Sequence, residues 1–284
     1  MIDPKMEGYY NNRANVPEHP ELLAEYAEKC AAWEADAKSV QWDLSYGDGP
    51  AETLDLFMAD SDNAPIHMYI HGGYWQSNTK RSSNFVARAL VDAGAHVAVV
   101  DYGLCPEVTI DEIGRQCRAA LAWLWREAER LGGDPDRITV SGHSCGGHLV
   151  GMAMATDWSQ FGAGLPSDLV KGGVSLSGLF DLRPLINTSI NDKVGMDEEI
   201  ALRNSPLFME PACNAPLVLL WGGDETEGFR WQSESMAKAW AAKGVETVAE
   251  AIPGVNHFTI LTGMDDPAHP ATRAIIRQSG LGQA

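Results

Sequence analysis

The chain has 284 residues, enough for one large core, with 21 basic against 39 acidic side chains and a net charge of −18. Such acidity repels phosphate backbones and anionic lipid, which argues against nucleic-acid and membrane partners. Five cysteines without CxxC spacing suggest neither a disulfide framework nor a zinc site, so no metal or other cofactor is expected; without an apolar leader or a membrane-length apolar run, the expectation is a soluble cytoplasmic protein.

In chain order, residues 1–38 are polar and form a helical extension with a helix over 20–37. Short strands at 41–46 and 54–59 flank the turn Gly47-Asp48-Gly49-Pro50, and a third at 66–70 runs into His71-Gly72-Gly73-Tyr74-Trp75. A helix over 84–93 leads to the buried strand 96–100, then to the loop 101–106 under the candidate site. An amphipathic helix over 109–131 stops at Gly132-Gly133-Asp134-Pro135. Strand 138–141 enters the helix 147–155; strands 173–176, 217–221 and 246–252 follow, with helices over 228–242 and 271–278. Alternating strands and helices give an α/β fold, a mostly parallel central sheet covered by helices on both faces. With no repeat or composition break, 1–284 reads as a single domain carrying the extension.

Gly142-His143-Ser144-Cys145-Gly146 lies where a strand must turn into a helix within a few residues. Small residues two before and two after Ser144 relieve the crowding of such a turn and leave the serine exposed at the helix N-terminus, which is a nucleophile elbow. Glycines after the 66–70 strand let backbone N–H groups approach the oxygen that becomes negative during acyl transfer. A serine hydroxyl also needs a base and an orienting carboxylate, in the order Ser, Asp/Glu, His. Asp224 follows the strand 217–221 and His257 the strand 246–252, with Glu225 and Glu227 as alternative acids and His269 as the alternative base. His143 reads as packing at the turn, His148 as a hydrogen-bonded core histidine, and Ser177 as a nucleophile only without the elbow.

The two glycine motifs together resemble the α/β-hydrolase fold in its lipase and esterase branch, close to the hormone-sensitive-lipase-like esterases. Tyrosine and tryptophan after His71-Gly72-Gly73 are similar to the kynurenine formamidase (arylformamidase) branch, as are the stretches Tyr10 to Pro17 and Ser177 to Leu185. That resemblance implies Ser144 as nucleophile, Asp224 as acid and His257 as base, with Gly73, Tyr74 and Cys145 backbone N–H groups as the oxyanion hole and Gly72 able to share it. It implies a metal-independent arylformamidase acting on N-formylkynurenine or a similar N-formyl arylamine. A short-chain carboxylesterase or thioesterase is the alternative, and an inactive hydrolase-like binding protein a more remote one. Tyr74, Trp75 and Phe258 are candidate substrate contacts, the first two limiting acyl length. The Cys145 thiol, at a helix N-terminus, is expected to be reactive. The expected partner is a small acyl or formyl substrate, and a homodimer is left open.

Overall fold

The structure, a computed structural model, describes residues 1–282. Eight strands form one sheet: β1 (Val40–Ser45), β2 (Thr53–Phe57), β3 (Ala64–Ile70), β4 (His96–Val100), β5 (Gly133–His143), β6 (Gly173–Leu176), β7 (Leu217–Gly222) and β8 (Thr247–Ile252). Their order is β1-β2-β4-β3-β5-β6-β7-β8; the first two pairings are antiparallel and the other five parallel.

The period-2 alternation of side chains sorts this sheet into two cores. In β4, Ala98 and Val100 face one cluster while Val97 and Val99 face the other; in β3, Ile66, Met68 and Ile70 oppose Tyr69. Helices Ile110–Glu127, Cys145–Met154 and Glu227–Ala241 cover the first face. On Ile110–Glu127, Ile113, Cys117, Leu121 and Leu124 recur at helical spacing and are all buried, and the Thr109 side chain caps the start by accepting from Glu112 N at 3.2 Å. Helices His19–Asp36 and Pro270–Gln278 cover the second face, where Tyr26, Cys30 and Trp33 of the former are part of the core itself.

Three local expectations change. The Gly132-Gly133-Asp134-Pro135 stretch does end a helix, with Gly132 at φ 77°, but β5 begins at once because Gly133 and Asp134 pair with Ala64 and Pro65 before a register shift. Residues 84–93 divide into a 3-10 turn, Asn84–Ala87, and a short helix, Arg88–Asp92. Before the expected helix, the polar opening holds two more, Pro4–Tyr10 and Asn12–Asn15, both capped by side chains: Asp3 accepts from Lys5 N and Met6 N, and Asn11 from Ala14 N.

No helix among the described residues is long and apolar enough to cross a membrane, and none of their His, Cys, Asp and Glu side chains cluster in a group that could hold a metal ion.

Candidate active site

At the carboxyl ends of β3, β5, β7 and β8 the chain leaves the sheet, and these four departures converge. After β5, Ser144 adopts φ 56°, ψ −120°, a conformation few non-glycine residues accept, and the helix Cys145–Met154 starts at the next residue. The turn is tight enough that a Cβ on Gly146 would lie 2.1 Å from Ile70 O, and one on Gly142 would lie 2.4 Å from the Gly146 backbone. The flanking glycines are therefore required by close approach of backbone to backbone.

His257 Nε2 stands 3.0 Å from Ser144 Oγ, and its Nδ1 stands 3.0 Å from Glu225 Oε2. With the carboxylate able only to accept, Nδ1 carries the proton and donates it, which leaves Nε2 bare to accept from the serine hydroxyl. The other Glu225 oxygen accepts from Gly222 N at 2.6 Å and from Ser177 Oγ. Ser144, His257 and the Glu225 side chain are all buried. His143 donates from Nε2 to His257 O at 2.8 Å, and its ring packs 4.7 Å from that of His257. Burial, with His257 as a second cationic competitor, holds His143 well below its ordinary pKa, so it stays neutral.

The carboxylate facing the imidazole is thus Glu225, and the expectation of Asp224 is corrected. Gly223 N and Asp224 N donate to Ile252 O and Val255 O at 2.7 and 3.0 Å, so residue 224 continues along the neighbouring strand and its side chain is exposed. The chain then folds back through Glu225 N to Gly222 O, at 3.0 Å, bringing the next side chain beneath His257. Glu227 pairs instead with Arg230, and His269 caps Pro270–Gln278 by accepting from Ala271 N. His148 donates to Asn204 O at 2.7 Å as a core histidine, its pKa pushed down to about 4 by burial. Ser177 is the partner of the acid, a role the sequence pattern did not reveal.

The loop after β3 is held by its carbonyls. Asn78 Nδ2 donates to Gly72 O, while Gln76 N and Ser77 Oγ donate to Gly73 O. Gly73 has φ 121°, and a Cβ there would lie 2.3 Å from Ser77 O. Among the described residues no oxygen accepts from the N–H groups of Gly73, Tyr74 or Cys145, whereas Trp75 N is taken up by Cys145 Sγ at 3.3 Å. Beneath the loop, Tyr102 stacks on His71 at 4.3 Å and donates to its carbonyl at 2.8 Å, which ties down the 101–106 segment.

A cavity of ≈ 250 Å³ opens over Ser144, His143 and His257. Tyr74 and Phe258 line it, as expected; Trp75 does not. With Tyr74 and Trp75 both left-handed, at φ 52° and 59°, the indole turns under the loop, is fully buried and packs edge-on against His148 at 5.2 Å. The Cys145 thiol is also fully buried, and burial pushes its pKa up to about 11, which corrects the expectation of a reactive thiolate: loss of hydration outweighs the helix terminus. Two features of the wall lay outside the sequence reading. Asn12 and Arg13 close one side, with Asn12 donating to the Tyr74 hydroxyl at 3.0 Å, and Ser189 to Lys193 close another.

Against known proteins, the family described as BD-FAE matches residues 54–208. A kynurenine formamidase from Salmo salar is 32% identical over 245 residues, covering 84% of this chain and 81% of its own length; one from Danio rerio is 31% identical over the same shares. The chain belongs to the kynurenine formamidase family of α/β hydrolases. A solved structure of a putative thioesterase from Silicibacter sp. TM1040 superposes with a TM-score of 0.85, at 28% identity, over 97% of this chain and 99% of that one. The esterase of Pyrobaculum calidifontis shares the fold, with a TM-score of 0.72 at 19% identity over 92% of each chain. The protein is accordingly a serine hydrolase of arylformamidase or esterase type.

Proposed function

We propose that this hydrolase is an arylformamidase that cleaves N-formylkynurenine or a similar N-formyl arylamine through a Ser144-His257-Glu225 triad. The observation that carries the chemistry is the unbroken relay at 3.0 Å on each side of His257, set in the floor of the cavity. Substrate class is supported by the identity to formamidases over most of the chain and by a wall in which Tyr74 and Phe258 offer aromatic faces.

In the first half-reaction Ser144 Oγ attacks the formyl carbon while its proton passes to His257 Nε2. Glu225 stabilises the imidazolium, and the free N–H groups of the Gly73–Tyr74 loop and Cys145 receive the tetrahedral oxygen. Return of the proton from Nε2 to the nitrogen expels the arylamine and leaves a formyl ester on Ser144. Water, deprotonated by the same Nε2, attacks this ester, and formate departs as Ser144 recovers its proton. Ser177 and Gly222 N hold the Glu225 carboxylate so that Nδ1 keeps its proton throughout.

Steady-state turnover of N-formylkynurenine beside phenyl formate, acetate, butyrate and hexanoate, and a matching thioester, tests the reading. Efficient deformylation with ester rates falling from formate to hexanoate supports it. A profile peaking at butyrate or longer, or on the thioester, with no deformylation overturns the formamidase assignment.

A further inference from the structure

The wall of the cavity has the opposite charge to the rest of the molecule. Although the chain carries 39 acidic side chains against 21 basic, among the described residues the lining contains two cations, Arg13 and Lys193, and no carboxylate. Several other cations are neutralised at short range: Lys80, Arg81 and Arg115 each contact two or more carboxylates. Arg13 and Lys193 form no ion pair among the described residues, and the only polar partner of the Arg13 guanidinium is Ser77 Oγ at 3.4 Å. Glu7, whose carboxylate bonds Asn11 and Ser189 of this wall, is itself occupied. It accepts from Ser189 N and Oγ at 2.8 and 2.6 Å and from Asn11 Nδ2 at 2.7 Å, which hold its carboxyl below the usual range despite partial burial.

The two cations come from separate parts of the chain, the helix Asn12–Asn15 and the helix Asn191–Val194, yet both border the cavity whose floor is Ser144. In a strongly negative molecule, a concavity lined by cations without a carboxylate attracts anions. Since Ser144 and His257 hold the reacting bond at the floor, the cations meet the substrate at its far end. We infer that Arg13 and Lys193 select substrates bearing a free carboxylate on the leaving-group side, and that the pocket discriminates against cationic leaving groups. The inference rests on the serine-hydrolase reading of the pocket but not on formyl specificity. An N-formyl arylamine with a carboxylate on its aryl side meets the requirement.

The test is a charge series with one acyl group: 3-acetoxybenzoate, phenyl acetate and 3-acetoxyphenyl-trimethylammonium, with N-formylanthranilate against formanilide as the amide pair. In the parent enzyme at low salt, kcat/KM rises from cation to neutral to anion, by ~10-fold or more between the ends, mainly through KM. In 0.5 M salt, taken as roughly ten times the ionic strength of a dilute buffer, the spread shrinks because the rim is solvent-exposed. The double variant Arg13→Gln/Lys193→Gln flattens the series, and Arg13→Glu/Lys193→Glu inverts it. Reversal of the ester order rescues the reading from any trivial loss of folding. Equal kcat/KM across the series in the parent, or an order unchanged by charge reversal, overturns the inference. If esters follow the charge order while neither formamide is cleaved, formyl specificity fails and the charge selection stands.

Discussion

The floor and the rim of the cavity are built on different principles. On the floor, Ser144, His257 and Glu225 are buried, and their positions follow from where β5, β8 and β7 end. At the rim, Arg13 and Lys193 are exposed, on helices of four residues each, joined to the body by side-chain bonds such as Asn12 to Tyr74 and Gln76 Nε2 to Ile190 O at 2.6 Å. Backbone pairing across a sheet fixes the reacting atoms, whereas short polar segments set what reaches them. The contrast teaches that chemistry and selectivity should fail separately.

The largest break is expected on the floor. Ser144→Ala and His257→Ala should each lower kcat/KM by ~10⁴-fold or more, and Glu225→Gln by ~10²- to 10⁴-fold, since the acid orients the base without entering the bond changes. Asp224→Asn, one residue away, should stay within about twofold of the parent. Steady-state assays of the four variants with one ester decide it; a crippled Asp224→Asn beside an active Glu225→Gln would reverse the assignment.

Trp75 sharpens the boundary between lining and core. Because its indole packs under the loop, Trp75→Ala should cost about 3–5 kcal/mol in denaturant unfolding without extending the acyl chain length accepted. Acceptance of hexanoate by this variant at undiminished stability would place the ring in the cavity after all.

Two buried histidines give the fold an acid limit. Burial depresses His67 and His148 to about 3 and about 4 from 6.5, so below pH 6.5 the unfolded chain binds more protons than the folded one. Their contribution is complete above pH 6.5 and is lost as pH falls toward the folded values. Urea titrations at pH 7 and pH 4.5 should show about 2 kcal/mol of this loss per histidine, and His148→Gln should reduce the difference.

The smallest effect is expected at Cys145. The donor proposed for it is a main-chain N–H, so Cys145→Ala should keep activity within about threefold. With its pKa raised to about 11, the parent thiol should alkylate slowly at pH 8 and faster as pH approaches 11. Rapid inactivation by iodoacetamide at pH 7, absent in Cys145→Ala, would mean that the loop opens.

The correction from Asp224 to Glu225 shows how far a sequence pattern reaches. Both carboxylates follow β7, and a pattern locates the turn but not the direction of a side chain within it. One residue's difference there is settled by hydrogen bonds to Ile252 O and Val255 O, which lie about thirty residues further along the chain. Trp75 is similar: its place after a glycine pair was visible, but its left-handed backbone, which sends the ring inward, was not. Arg13 fell within the Tyr10 to Pro17 stretch and Lys193 in no motif, but neither was legible as a site residue, because exposed cations are ordinary until two of them border the same cavity.

By itself the sequence determined the α/β architecture, the elbow at Ser144, the loop after His71 and His257 as the histidine that meets the serine. These follow from local rules: strand alternation, helical spacing, and the glycines that tight backbone crossings demand. Only the tertiary structure decided which carboxylate faces His257, that Ser177 holds it, which aromatic rings line the cavity, and that its wall is cationic. Those outcomes depend on contacts between segments far apart in the chain, where one residue of register or one turn of backbone moves a side chain from the site to solvent or into the core.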